Sequence, residues 1–136
     1  MSGKTYTVAV LIEALRSVTG STSSPGLLRG LADLRLAAAI RQMHENPARS
    51  WTVEQLAKES ALSRSAFFDR FNRAVGVPPM EYLHAWRMAL AKDLLRRSDV
   101  GLAEVAERVG YSSASTFSTA FSRYVGQPPA RYARSH

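Results

Sequence analysis

Cysteine is absent from the 136 residues, which excludes disulfides, thiolate zinc sites and cysteine nucleophiles. Histidine is scarce and scattered. His44, His84 and His136 have no second ligand at metal spacing, so no metal centre is expected, and His44 and His84 read as helix-surface or packing residues. No glycine-rich phosphate loop, nucleophile elbow or serine paired with a base occurs, so neither an enzyme nor a cofactor is expected. Long apolar runs are missing too. The longest, residues 8–12, is far too short to span a bilayer, and Glu13 and Arg16 interrupt it before any cleavage-like site. With no thiol pairs and no leader pattern, a cytoplasmic protein with no membrane partner is expected.

Positive charge, by contrast, is plentiful. There are 18 Lys plus Arg against 11 Asp plus Glu, a formal net charge of +7 with a pI near 10.4. A surplus of that size points to a polyanion, either nucleic acid or an anionic membrane surface. Fifteen of the 18 cations are arginine, whose guanidinium fork matches phosphates and guanine edges better than an ammonium does. Nucleic acid is therefore favoured. A hydrophobic content of 46% is enough for a packed core.

The organising feature is an internal repeat. FFDRFNRAVGVPPMEY (67–82) matches FSTAFSRYVGQPPARY (117–132): Phe67 with Phe117, Phe71 with Phe121, Arg73 with Arg123, and Val75-Gly76 with Val125-Gly126. Pro78-Pro79 and Tyr82 recur at Pro128-Pro129 and Tyr132, always 50 residues on. Upstream the spacing is 49, Leu56-Ala57 matching Val105-Ala106 and Ala61-Leu62 matching Gly110-Tyr111, so one residue, Ser112, is inserted in the second copy's turn.

Each copy reads as two short helices around a tight turn, a helix-turn-helix. In the first, Thr52 caps a helix over 53–59 with Gln55 three residues on, as in a capping box, and Val53, Leu56 and Ala57 are buried. A turn at 60–62 leads to Ser63, which caps a second helix ending near Ala74. In the second copy the helices are 102–109, with Gly110 in the turn, and, capped by Ser113, one ending near Val125. Ala57 and Ala106 mark close helix approaches. Each Gly-X-Pro-Pro segment ends one helix and starts the next. Between the copies, 80–97 lacks glycine and proline and carries Leu83, Trp86, Leu90 and Leu94 at helical spacing, about 27 Å of helix. Further helices are expected over 32–44 and 129–133.

The predicted fold is all-α and homeodomain-like, two helix-turn-helix subdomains with about seven helices joined by a long linker helix. The divisions are 31–79, 80–98 and 99–136. Before them, residues 1–30 hold an amphipathic helix over 6–18 and a Gly/Ser/Thr/Pro-rich linker over 19–26. Trp51 and Trp86 are expected in the core.

The second helix of each unit carries the candidate contacts. With Phe67, Phe71 and Val75 inward, Arg64, Ser65, Phe68, Asp69 and Asn72 face outward. A recognition helix sets its N-terminal residues against base edges and its flanks against phosphates. Arg64 suits a guanine edge or a phosphate, Ser65 several partners, Phe68 a thymine methyl and Asp69 a cytosine amino group. Ser63 at the helix N-terminus suits a phosphate. A merely solvated polar face is the alternative, and an outward phenylalanine beside arginine argues against it. In the second unit Phe117, Phe121 and Val125 repeat the core face and leave Ala114, Ser115, Ser118, Thr119 and Ser122 outside. These short side chains suit backbone and shape better than base edges. Ser113, Ser122, Asn72, Arg70, Arg73, Arg87, Arg123 and Arg131 complete the phosphate candidates.

On WTVEQLAKESALSRSAFFDRFNRAVGVPPMEYL, WRMALAKDLL and VAERVGYSSASTFSTAFSRYVGQPPARY, in that order, the sequence resembles the AraC/XylS family over residues 34–134. The resemblance implies a transcription regulator without a cofactor, whose two recognition helices enter successive major-groove segments on one face of double-stranded DNA. It also implies activation through contact with RNA polymerase. By position it assigns base readout to Arg64, Ser65, Phe68 and Asp69, and to Ala114, Ser115, Ser118 and Thr119. The chain departs from the family at Thr119, where arginine is common, and at Ser112 and Ala114, where longer polar residues are usual. Family members carry an N-terminal sensing barrel. Residues 1–30 accordingly read as a remnant of a sensor or dimerisation domain, with weak homodimer pairing through 6–18, either in part of a longer regulator or in a short one. A nonspecific architectural DNA binder and a protein-interaction module are the competing readings.

Overall fold

The structure is a computed structural model that describes residues 33–97 and 99–135. The expected helix over 6–18 and the linker after it lie outside the described residues. Within them are seven helices and no strand: α1 Leu34–Glu45, α2 Val53–Glu59, α3 Arg64–Val75, α4 Pro79–Arg96, α5 Leu102–Arg108, α6 Ala114–Val125 and α7 Pro129–Ser135. The fold is all-α, as the periodicity predicts. α1 and α4 differ from expectation by one or two residues at their ends, because their starts are set by Asp33 and by the second proline of the Pro-Pro pair.

Side-chain caps fix the starts of α1, α2, α3 and α6. Asp33 accepts from the N–H groups of Arg35 and Leu36, and Arg70 of α3 donates to its other oxygen at 2.6 Å. Burial works against the Asp33 charge, but the Arg70 bond and the backbone donors outweigh it and hold the carboxyl below its ordinary range. Thr52 and Gln55 form the reciprocal capping box the sequence predicts. Ser63 and Ser113 cap α3 and α6, accepting from Ala66 and Thr116 at 3.2 and 3.1 Å. Both helices stop at a left-handed glycine, Gly76 and Gly126.

The position of the inserted residue is visible in the hydrogen bonds. Leu62 N–H donates to Ala57 and Tyr111 N–H to Ala106, which are 49 residues apart. Phe67 N–H donates to Ser63 and Phe117 N–H to Ser113, which are 50 apart. The extra residue therefore lies between Tyr111 and Ser113, at Ser112.

Two apolar clusters form the interior. The first joins Leu36, Ile40, Met43, Trp51, Leu56, Phe67, Phe71 and Val75 to Tyr82 and Leu83. The second joins Trp86, Met88, Ala89, Leu90, Ala91, Leu94 and Leu95 of α4 to Val105, Ala106, Val109, Phe117, Phe121 and Tyr132. Helix α4 thus closes one core with its first turns and builds the other with the rest, and eleven of its 18 residues are buried. Its four expected core positions, Leu83, Trp86, Leu90 and Leu94, are all among them. Val53 and Val125, expected inside, are half-buried at the margins of their cores. Ala57 and Ala106 are buried where the short helices meet.

Several polar groups in the interior have specific hydrogen-bond partners. Trp51 Nε1 donates to the Asn46 carbonyl at 2.9 Å, as expected of a core tryptophan. His44 is a packing residue. Its ring stacks on Trp86 with centroids 3.8 Å apart, and its Nε2 lies 2.6 Å from the Tyr82 hydroxyl. Burial lowers the His44 pKa to about 4 and pushes the Tyr82 phenol upward, so both stay neutral at physiological pH. The repeat carries this arrangement over in altered form, since Tyr132, the counterpart of Tyr82, accepts from Arg96 at 3.0 Å. His84 is half-buried, edge-on to Tyr124.

Candidate nucleic-acid interface

In α3 the four-residue spacing of Phe67, Phe71 and Val75 turns the opposite face to solvent. Arg64, Ser65, Phe68, Asp69, Asn72 and Arg73 are all exposed. Phe68 is 39% exposed although it is a large apolar side chain, and nothing among the described residues covers the helix at this point. An apolar ring held in water beside cations suits a partner with both charge and methyl groups.

The cations of this face are tethered by weak bonds. Arg64 Nε lies 3.0 Å from Glu54 of α2, with both side chains about 60% exposed. Arg73 pairs with Asp69 one turn back, also at 3.0 Å. Exposed pairs of this kind contribute about 0–1 kcal/mol, so a phosphate or a guanine edge can displace the carboxylate at little cost. Until then they hold the guanidinium groups over the helix. The sequence reading missed Glu54. Its signal was the alignment of first-turn positions on α2 and α3, ten residues apart, which matters only once the turn between them is known.

In α6 the outward face is small and hydroxylic. Ser115 and Thr119 are exposed, while Ala114, Ser118 and Ser122 are half-buried. Ser118, Thr119, Ser122 and Arg123 line a shallow open concavity of about 470 Å³. Thr119 donates its hydroxyl proton to the Ser115 carbonyl at 3.2 Å, and the Ser113 and Thr116 hydroxyls lie 2.9 Å apart at the cap. Thr116, which the sequence does not single out, is also exposed beside these residues.

The remaining phosphate candidates divide. Ser63, Asn72, Arg73, Ser113, Arg123 and Arg131 are exposed and lie on or beside the two outward helices and α7. Arg70 and Arg87 are bonded within the fold instead. Arg70 holds Asp33 at the start of α1. Arg87, in the middle of the linker helix, is half-buried and donates to the carbonyls of Pro47 and Arg49, both at 2.8 Å. Charge alone does not separate these two from the exposed arginines in a sequence.

Among the described residues no group of three or more His, Asp or Glu side chains is placed to hold a metal ion, and no helix is long and apolar enough to cross a membrane.

Residues 56–135 match the family model described as a helix-turn-helix domain. A putative AraC-like transcription regulator of Streptomyces lividans is 49% identical over 111 residues, covering 82% of this chain and 36% of that protein. The HTH-type transcriptional regulator AlkR of Acinetobacter baylyi is 36% identical over 124 residues, 90% of this chain and 40% of its own length. The chain thus spans between a third and two fifths of these relatives. Among solved structures, the DNA-binding domain of AdpA, crystallised in complex with a target DNA, superposes with a TM-score of 0.67 at 30% identity, covering 83% of this chain and 93% of that one. Repeat, capping pattern, helix order and these likenesses agree, and the chain belongs to the AraC-type helix-turn-helix family of DNA-binding transcription regulators.

Proposed function

We propose that this chain is a sequence-specific reader of double-stranded DNA and not an enzyme, laying α3 and α6 into successive major-groove segments. The observation that carries this is the pair of uncovered recognition helices, each offering polar and basic side chains from a buried phenylalanine-anchored face. Arg64, Ser65, Phe68 and Asp69 contact bases. Asp69 does so once Arg73 has turned to a phosphate, an exchange that trades one weak surface pair for a charge-assisted bond. Ala114, Ser115, Ser118 and Thr119 follow the groove with less discrimination, since none is long enough for a bidentate base contact. Ser63, Ser113, Ser122, Asn72, Arg73, Arg123 and Arg131 hold the backbone. Residues 31–79 and 99–136 act as the two reading units and 80–98 as the rod between them.

For the whole regulator, working in the cytoplasm, activation through RNA polymerase and pairing through 6–18 belong to the same reading. Of these, activation has support among the relatives, one of which is named as a transcriptional activator of Escherichia coli and is 39% identical over 98 residues. Selection of duplexes from a random pool tests the central claim. A regulator enriches a defined motif, denser in fixed positions under α3 than under α6. An architectural protein enriches nothing beyond base composition, and a protein-interaction module shows no duplex affinity at moderate salt.

A further inference from the structure

The substantial helix–helix contacts run within each unit or through α4. A direct contact between the units lies at Arg87. Its fork donates from Nε to the Pro47 carbonyl and from Nη2 to the Arg49 carbonyl, both in the loop between α1 and α2 of the first unit. From the other side, the turn of the second unit rests on the same group. A Cβ on Gly110 would stand 3.2 Å from Arg87 Cζ and 3.3 Å from the Cα of Ala48. The repeat supplies an internal comparison. Gly110 corresponds to Ala61, which keeps its methyl in the same left-handed turn at φ 56°, whereas Gly110 has opened to φ 93°. A side chain is therefore compatible with this kind of turn. What the second turn adds is a backbone pressed against the guanidinium and the first unit's loop.

We propose that Arg87, gripping the first unit's loop and bearing Gly110 of the second unit, fixes the rotation of one reader relative to the other. On this proposal, which rests on the DNA-binding reading above, Arg87 is a positioning residue that sets the spacing of half-sites the chain accepts. The two cores alone leave the units hinged on one shared rod. The clasp adds an off-axis contact, which is what resists twisting about the rod. One added base pair rotates a half-site by roughly 35° and moves it by about 3.4 Å, a displacement the two readers follow only if they can turn independently.

The absence of cysteine makes the test direct. Lys58 and Glu107 are exposed, stand at equivalent positions on α2 and α5, and lie off both recognition helices. Spin labels on Lys58→Cys and Glu107→Cys give a distance distribution for the free protein. A narrow distribution is expected in the otherwise unchanged chain, and a clearly broader one when Arg87→Met is added, with cooperative melting retained. The second arm uses the duplex that the unchanged chain selects from a random pool, with one base pair added between the two contacted segments. The unchanged chain should lose roughly tenfold or more in affinity, and Arg87→Met less than about threefold. If Arg87→Met does not fold, Arg87→Lys repeats both arms, since it keeps the charge and stem but cannot present two coplanar N–H groups to two carbonyls. A broad distribution in the unchanged chain, an unaltered distribution in the variant, or an unaltered spacing penalty overturns the proposal. The distance arm needs no DNA. Should selection enrich no motif, it is the DNA-binding reading that fails, while the distances still decide whether Arg87 is a clasp.

Discussion

Single side chains on α3 divide into those that await a partner and those that already have one. Arg64, about 60% exposed and tied to Glu54 alone, belongs to the first group. If it forms a bidentate guanine contact, Arg64→Ala should weaken binding to a selected site by ~1–3 kcal/mol and relax the preference at one base position. Equal affinity of wild type and variant for that site, in a titration at fixed salt, would show that Arg64 makes no base contact. His44, half-buried in the first unit, already has partners in Trp86 and Tyr82. Its pKa in the folded chain is about 4 against an ordinary 6.5, so between those values the unfolded chain binds a proton that the folded chain refuses. Stability from this residue is full above pH 6.5 and declines as the pH falls toward 4, by up to about 3 kcal/mol. In His44→Gln, which keeps a polar group facing Tyr82, that share of the acid sensitivity should vanish. Urea unfolding at pH 7 and pH 4.5 checks it, and equal pH slopes in both proteins would contradict it.

Whole elements were easier to foresee than their partners. The repeat, the capping box at Thr52 and Gln55, the caps Ser63 and Ser113 and the insertion at Ser112 all stand in the structure where local patterning places them. Such features are set by hydrogen bonds a few residues apart, so a linear reading reaches them. The Arg64–Glu54, Arg70–Asp33 and Arg87–Pro47 contacts join residues 10 to 40 positions apart across turns, and nothing in the charge pattern distinguishes an arginine bound in that way from one left in water. The face of α3 was therefore foreseeable and the tethering of its cations was not. In α6, the Thr116 hydroxyl is likewise visible only in three dimensions, through its contact with the Ser113 hydroxyl at the cap. An element-level prediction follows from the caps. Ser63→Ala removes the acceptor for Ala66 N–H and should lower stability by about 1 kcal/mol, read as a lower denaturation midpoint without DNA. An unchanged midpoint would mean that solvent caps α3 equally well.

At the scale of the molecule, a net charge of +7 and the exposed arginines Arg64, Arg73, Arg123 and Arg131 make DNA binding salt-dependent. Affinity should fall linearly on a logarithmic salt axis. Arg73→Ala should weaken binding to all duplexes alike and flatten the slope by about one unit, as the loss of one phosphate contact requires. A variant with the parental slope would place Arg73 outside the interface. Helix α4 matters here in another way. Because it is lodged in both cores, α4 keeps α6 beside the duplex whenever α3 has docked, at an effective concentration that a loose tether could not supply. A helix armed with serine and threonine, too feeble to hold DNA alone, thereby acquires leverage through avidity, and the blandness of its surface ceases to be a defect.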